Sequence, residues 1–226
     1  SKKENLKFKN ISIDSRTISS GDLFIAIEGK NFNGHDFVGQ VIDKGIKAAV
    51  VKEGTQHLLP SKFPYWSVPD SLEAFQQIAL YKRRKLKIPV VAITGSVGKT
   101  TTKEMTAEVL QILGKVKKSE ANNNNEIGMG LTIINSEKNQ KVLVLEMGMR
   151  GLGQIENLSK FSEPNIAVIT NIGSSHIGLL GSKENIAIAK CEITKHLNPN
   201  GVVIIPDGDV LLEETLSRVW EGRIVK

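Results

Sequence analysis

The sequence of 226 residues has little cysteine, few aromatic residues and no long apolar run. Its single cysteine, Cys191, excludes an internal disulfide and is typical of the reducing cytoplasm, where we expect this protein. No apolar run approaches the roughly 18 residues that a bilayer-spanning helix needs, so we expect no membrane insertion. Aromatic residues make up 5% of the chain and are not interleaved with basic ones, which argues against a nucleic-acid-binding surface.

The charge and the apolar content indicate an ordinary globular protein. Basic residues exceed acidic ones to give a net charge of +6, and hydrophobic residues make up 40% of the chain. Because the basic residues are scattered, we expect small anionic ligands rather than nucleic acid, and a basic nucleic-acid-binding ATPase ranks last among the alternatives. The length suits one large or two small domains.

Short apolar segments separated by turn signals predict a small N-terminal α/β domain over residues 1–84. Strands are expected at 11–13, 23–27, 48–51 and 65–68, and helical spacing is present over 37–42. A capping box at Asp70 predicts a helix that runs to about Arg84. We expect its basic end, residues 82–85, to be solvated, because cations suit a helix C-terminus.

Strands and helices alternate in the second predicted domain, residues 85–226. This alternation predicts a mostly parallel sheet flanked by helices, with ligands at the carboxyl ends of the strands. The predicted strands are 90–94, 141–146, 165–170 and 202–205, the last of which is expected to end the series. The predicted helices are 99–113, 155–161 and 183–197.

A phosphate-binding loop is predicted where the β-branched run from Val90 ends in glycines and a Lys-Thr pair. Glycines allow a tight turn whose N–H groups face phosphate, the lysine reaches the β- and γ-phosphates, and the threonine hydroxyl holds Mg²⁺. Ile93 stands where the common motif has glycine, and the alternative is an ordinary strand-to-helix turn. The predicted ATP-binding residues are Thr94, Gly95, Ser96, Val97, Gly98, Lys99, Thr100 and Thr101.

Chemically active side chains follow other predicted strands. Glu146 ends a buried strand, where an acidic residue supports Mg²⁺ beside a phosphate loop. His176, in a Gly/Ser loop, is a plausible ligand for a second divalent ion. Spacing alone favours a surface position for Lys190 over a packed one, and it favours a buried small residue over a reactive thiol for Cys191.

The asparagine run at 122–125 has two readings. It is either a disordered polar insert or an ordered loop at the sheet edge, and composition alone does not decide whether its amides contact a polar substrate.

An ordered set of motifs resembles the Mur ligase family over nearly the whole chain. In the second domain the motifs are Thr94 to Met105, Asn122 to Gly128, Glu146 to Arg150, Thr170 to Gly173, His176 and Ala189 to Ile193. In the first domain they are Asp14 to Arg16, Gly21 to Phe24 and Asn33 to Phe37. The Lys-Glu-Met and Glu-Met-Gly-Met versions resemble the branch that adds D-alanyl-D-alanine to UDP-N-acetylmuramoyl-tripeptide.

The resemblance implies an ATP-dependent amide ligase of peptidoglycan synthesis that forms an acyl phosphate and releases ADP and phosphate. It implies two Mg²⁺ ions, the first bound by Thr100 and Glu146 and the second by His176 together with Lys190 as a CO₂-derived carbamate. The residues with implied catalytic roles are Lys99, His176 and Lys190. The residues implied to bind the UDP-linked substrate are Ser15, Arg16, Asn33, Gly34, His35, Asn124 and Asn125.

The family also has a third, C-terminal domain that this sequence does not contain, so we expect a truncated chain that is inactive alone, and a monomer. Two other ligases are the alternatives: the Mur ligase that adds the third amino acid, and a folylpolyglutamate-synthase-like enzyme. The UDP-sugar motifs of the first domain argue against the latter. A non-catalytic nucleotide-binding module is a further alternative, and joint retention of Thr100, Glu146, His176 and Lys190 argues against it.

Overall fold

Two separate parallel β-sheets organise the chain in a computed structural model that describes residues 6–29, 32–121 and 123–226. The chain divides into two compact units, residues 1–77 and 78–226. Within the described residues, no helix has both the length and the apolar character needed to cross a membrane.

The first unit is built on a four-stranded parallel sheet in the order β1-β2-β3-β4. Its elements are β1 (Ile11–Ser12), β2 (Leu23–Ile25), α1 (Val38–Asp43), β3 (Ala48–Lys52), β4 (Tyr65–Val68) and the start of α2 (Ser71–Leu86). The predicted capping of α2 is confirmed, because Asp70 Oδ1 accepts hydrogen bonds from the N–H groups of Leu72 and Glu73 at 2.7 and 3.0 Å. The core is formed by Ile18, Phe24, Ala26, Val38, Val41, Ile46, Ala49 and Val51.

The second unit contains a six-stranded parallel sheet in the order β10-β9-β8-β5-β7-β6. Its strands are β5 (Val90–Thr94), β6 (Val116–Lys118), β7 (Val142–Glu146), β8 (Ile166–Ile169), β9 (Val202–Ile204) and β10 (Arg223–Val225). Its helices are α3 (Lys99–Leu110), α4 (Glu126–Ile134), α5 (Gln154–Ser162), α6 (Ile177–Leu180), α7 (Lys183–Cys191) and α8 (Val210–Ser217). The predicted α/β class with mostly parallel strands is confirmed.

The strand order creates a binding crevice at the carboxyl ends of β5 and β8. The chain leaves β5 toward the β6 edge of the sheet, whereas it leaves neighbouring β8 toward β9 at the other side. In open parallel sheets, ligands bind where adjacent strands connect in opposite directions. The segments that follow these two strands are therefore the natural place for a site.

Two predicted boundaries in the second unit are wrong. The helix expected over 183–197 ends at Cys191 and continues only as a 3₁₀ turn, Glu192–Thr194, because the Glu192 carboxylate binds backbone N–H groups at the start of α5. The strand expected to end the series is followed by α8 and β10, which pairs with β9 in parallel.

The expected solvation of the basic end of α2 is also wrong for Arg83. Its guanidinium is buried and donates to the carbonyls of Ser162 and Glu163, at 2.7 and 3.1 Å, and to Asn165 Oδ1 at 3.0 Å. The cation thus caps the C-terminus of a different helix, α5, where the helix dipole is negative. Burial lowers the pKa of Arg83 from its ordinary value.

Candidate active site

The loop between β5 and α3 has the backbone shape that a phosphate cradle needs. Gly95 has φ +152° and Gly98 has φ +79°, in the region that favours glycine. A Cβ on Gly95 would lie 1.8 Å from Thr170 Oγ1, so no side chain fits there. The turn therefore depends on its glycines for both conformation and space.

The predicted phosphate lysine lies over this loop. Lys99 opens α3, and its ammonium donates to the Gly95 carbonyl oxygen at 2.9 Å. Thr94 is fully buried, and its hydroxyl donates to the Met147 carbonyl at 3.0 Å, which ties β5 to the segment after β7. Thr101 is exposed on the first turn of α3.

A segment that the sequence reasoning gave no role, Thr170–Gly173 after β8, contacts the loop directly. Asn171 Oδ1 accepts from the N–H groups of Ser96 and Val97 at 3.2 and 3.1 Å. Thr170 Oγ1 donates to the Val97 carbonyl at 2.6 Å, and Gly173 N–H donates to Ser96 Oγ at 2.8 Å. The available signals were the position of this segment after a core strand and its place among the family motifs.

Glu146 lies next to the loop, because β7 pairs with β5 in a register that sets Ile93 opposite Glu146. The carboxylate is 1% exposed. Its Oε2 accepts from Thr100 Oγ1 at 2.9 Å, and its Oε1 accepts from Asn124 Nδ2 at 3.0 Å. The structure therefore brings together two oxygen groups of the kind that Mg²⁺ prefers.

Lys103 is a fully buried cation beside this carboxylate. Its Nζ lies 3.8 Å from Glu146 Oε2 and 3.1 Å from Glu104 Oε1, but no contact among the described residues has hydrogen-bond geometry. Sequence reasoning missed it, although Lys103 and Ala107, four residues apart, share the buried face of α3.

The asparagine run is ordered over residues 123–125; Asn122 lies outside the described residues. Asn124 contacts Glu146, as described above, and its backbone carbonyl accepts from Gly148 N–H at 2.8 Å. Asn125 caps α4 by accepting from Gly128 N–H at 2.8 Å. Both amides are thus engaged within the protein, and their predicted contact with substrate stays a prediction.

Lys190 is buried in α7, contrary to the surface position that spacing favoured. It is 2% exposed, and burial, together with the positive charge of Lys99, lowers its pKa from 10.5 to about 8. Cys191 beside it is buried as expected, and burial raises the pKa of its thiol to about 12.

His176 is exposed at the start of α6 with φ +69°, a strained conformation for a residue other than glycine. In the part of the chain that the structure describes, no three His, Cys, Asp or Glu side chains gather closely enough to hold a metal ion. His176 and Glu146 are therefore not part of one ready-made cluster.

The first unit contains a cavity of about 400 Å³ at the carboxyl end of β1. Ser15, Arg16 and Gly34 line it, as the predicted substrate site requires. A bidentate pair with Arg16, at 2.9 and 2.7 Å, lowers the pKa of Asp14 to about 2. Asp14 also lines the cavity, and the remaining lining residues are Ile13, Phe24, Phe32 and Phe37.

Asn33 and His35 lie on either side of Gly34 in the chain but do not line the cavity themselves. Asn33 Oδ1 accepts from the backbone N–H of His35 at 3.0 Å and lies 2.7 Å from its Nδ1. His35 Nε2 accepts from Lys52 N–H at 2.9 Å, so the Nδ1–H donates to Asn33 and the ring is neutral. Burial also lowers the pKa of His35. Neither ring nitrogen is free, and direct substrate contact by His35 stays a prediction.

Residues 93–221 match the model of the Mur ligase middle domain, and residues 7–83 match that of the Mur ligase family catalytic domain. The first match alone covers more than half of the 226 residues. The chain belongs to the Mur ligase family. The resemblance deduced from the motifs is thereby confirmed.

Mur ligases of known activity or structure are similar over nearly the whole chain. The chain is 43% identical to the UDP-N-acetylmuramoyl-tripeptide--D-alanyl-D-alanine ligase of Synechocystis sp., over 98% of this chain and 49% of that protein. The chain is 40% identical to the Bacillus subtilis ligase of the same name, over 95% of this chain and 47% of that protein. The structure of the MurF ligase of Thermotoga maritima in complex with ADP superposes with a TM-score of 0.88 at 32% sequence identity. The match covers 98% of this chain and 51% of that one. The chain spans about half the length of the curated relatives it matches.

Proposed function

We propose that this chain carries the nucleotide and UDP-substrate sites of an ATP-dependent ligase that joins D-alanyl-D-alanine to UDP-N-acetylmuramoyl-tripeptide. The observation that carries the proposal is the 43% identity to the Synechocystis ligase over 98% of the chain. We propose that this enzyme acts as a monomer in the cytoplasm, in peptidoglycan synthesis. We assign UDP-substrate binding to residues 1–84 and ATP binding to residues 85–226. The family match over residues 7–83 ends at this division and supports it.

The proposed reaction has two steps. A carboxylate oxygen of the UDP-linked peptide attacks the γ-phosphorus of ATP. The bond between the γ-phosphorus and the β,γ-bridging oxygen breaks, which releases ADP and forms an acyl phosphate. The amine of D-alanyl-D-alanine then attacks the acyl carbon and loses a proton, and phosphate leaves from the tetrahedral intermediate. Phosphoryl transfer depends on positioning and charge stabilisation, which the amides of residues 95–100 and the Lys99 ammonium would supply.

Thr100 and Glu146 fit a Mg²⁺ ion that accompanies ATP. Their oxygens are already 2.9 Å apart, and a buried carboxylate and a hydroxyl are suitable ligands. When bound, Mg²⁺ would neutralise charge on the transferring phosphoryl group. Glu146 would exchange its hydrogen bond from Thr100 for the metal while Asn124 continues to orient its other oxygen.

Lys190 fits the carbamate that the resemblance implies. A pKa of about 8 leaves a sizeable fraction of neutral amine near pH 7.5. The amine nitrogen bonds to the carbon of CO₂ and releases a proton, which turns a buried cation into an anion. Together with His176, whose strained backbone favours a functional role, this anion would hold the second Mg²⁺.

The cavity of the first unit fits the uridine diphosphate part of the substrate. Phe32 and Phe37 are 56% and 39% exposed and offer flat apolar faces to a pyrimidine ring. Arg16 is bound to Asp14 through Nε and Nη2, and its remaining guanidinium N–H groups would donate to the diphosphate. A Cβ on Gly34 would lie 2.8 Å from the Ile27 backbone nitrogen, so only glycine allows the backbone to pack this closely at the cavity.

Calorimetric titration tests the proposal. The chain is titrated with UDP-N-acetylmuramoyl-tripeptide, with the UDP-linked dipeptide and with UDP alone. The proposal expects the tripeptide to bind most tightly. Equal or tighter binding of the dipeptide would favour the ligase that adds the third amino acid, and binding of none of the three would contradict the assignment of the substrate site.

A further inference from the structure

The amide side chain of Asn171 is matched to the backbone of the phosphate loop on both of its ends. Its Oδ1 accepts from the N–H groups of Ser96 and Val97, and its Nδ2 donates to the Val97 carbonyl at 3.2 Å. An aspartate could not make the last bond and an aliphatic side chain could make none. An amide at this position therefore satisfies three backbone groups of a loop that no helix or strand holds.

The neighbouring residues reinforce the same contact. The Asn171 backbone carbonyl also accepts from Ser96 N–H, at 3.2 Å, and the Thr170 hydroxyl donates to Val97. β5 and β8 are hydrogen-bonded neighbours with Thr94 opposite Ile169, so the register delivers Thr170 and Asn171 to the loop. The side of the loop at Gly95 is closed by Thr170 itself.

We propose that Asn171 is a positioning residue for the nucleotide: it fixes the phosphate loop in its binding conformation before the phosphate arrives. This inference rests on the proposed nucleotide site and deepens it. A loop that is already ordered loses less conformational entropy on binding, so pre-organisation raises affinity. The contrasting possibility is that the Asn171 amide occupies N–H groups that the phosphate must take over, in which case it would lower affinity.

The sign of one affinity change separates these two roles. Asn171→Leu removes all three side-chain hydrogen bonds while keeping the number of side-chain heavy atoms, and MgADP binding is measured by calorimetry. We expect Kd to rise roughly tenfold, the effect of losing about one to two net hydrogen bonds of loop stabilisation. Thr170→Val, which removes only the hydroxyl donation to Val97, is expected to raise Kd about threefold by the same reasoning.

Asn165→Leu is the matched control, because Asn165 lies at the other end of the same strand. Its Oδ1 accepts from Val90 N–H at 2.9 Å and from Arg83, away from the loop. This variant loses comparable hydrogen bonds, and its MgADP affinity is expected to stay within about twofold, since distant sites behave independently.

Amide hydrogen exchange in the nucleotide-free protein supplies a second readout. A protected Val97 amide in the wild type and an unprotected one in Asn171→Leu are expected, whereas the Ser96 amide keeps its hydrogen bond to the backbone carbonyl of residue 171. Unchanged or tighter MgADP binding by Asn171→Leu, or equal exchange in the two proteins, would overturn the inference while leaving the nucleotide site in place. Failure of the wild type itself to bind MgADP would instead overturn the proposed nucleotide site and this inference with it.

Discussion

Replacing Glu146 with glutamine is expected to destabilise the chain, chiefly through the buried cation of Lys103. The variant leaves that ammonium with only Glu104, whose side chain is 45% exposed. The glutamine oxygen can still accept from Asn124, but its NH₂ group then faces Thr100 and Lys103. The Lys103 ammonium then faces an N–H donor in place of the Glu146 carboxylate.

The distance between the two charges sets the size of the effect. Lys103 Nζ and Glu146 Oε2 are 3.8 Å apart. Unit charges about 4 Å apart attract by about 4 kcal/mol at an effective dielectric constant of about 20, and breaking a buried pair costs about 3–5 kcal/mol. Because Glu104 remains 3.1 Å from the ammonium, we expect Glu146→Gln to cost less than a full break of the pair, about 2–3 kcal/mol.

A double-mutant cycle isolates the pair. Urea unfolding is measured for the wild type, Glu146→Gln, Lys103→Met and the double variant. In the Lys103→Met background the ammonium beside Glu146 is absent, so Glu146→Gln should cost less by about 2 kcal/mol or more. Additive effects, within about 0.5 kcal/mol, would refute the reasoning, because the two charges would then not sense each other.

Three further predictions concern single residues. Gly95→Ala should abolish MgADP binding because its Cβ would collide with Thr170, whereas Gly151→Ala, with open space around it, should bind normally; equal binding would contradict the tight loop. In CO₂-free buffer the unfolding free energy should rise from pH 8 to 10.5 relative to Lys190→Met, by at most about 3 kcal/mol. The unfolded chain binds the extra proton in that window, because the folded pKa of Lys190 is the lower one, and a flat difference would contradict its burial. Arg83→Met should lower the free energy of unfolding by about 2–4 kcal/mol, since the carbonyls of Ser162 and Glu163 lose their donor and Asn165 Oδ1 keeps only Val90 N–H, and an unchanged melting temperature would contradict that capping role.

The fold class and the phosphate loop were predictable because their signals are local. Alternating apolar strands and helices specify a parallel sheet, and the glycines with Lys99 mark the loop in one short stretch. The contact between Thr100 and Glu146, 46 residues apart, also followed from sequence, because parallel strands end at the same edge of a sheet.

Residues whose environment is set by distant elements were not predictable in the same way. From sequence, Arg83 is expected to be a solvated helix end, but it contacts the C-terminus of α5. Lys190 is expected to be a surface lysine, but it is 2% exposed and close enough to the phosphate-loop residue Lys99 to sense its charge. The role of Lys103 depends on a side chain 43 residues away, and that of Asn171 depends on backbone N–H groups 74 and 75 residues away. Only the tertiary structure shows that Arg83, Lys103 and Lys190 are buried and that Asn171 contacts the phosphate loop.

Hydrogen exchange with each ligand in turn tests the central claim most directly, namely that this chain carries two separate sites. MgADP is predicted to slow exchange in residues 95–101, and UDP-N-acetylmuramoyl-tripeptide to slow it in residues 13–16 and 34–37. That pattern would locate the nucleotide at the loop after β5 and the UDP group at the cavity of the first unit. No slowing in these segments, or slowing of the same segment by both ligands, would contradict the account.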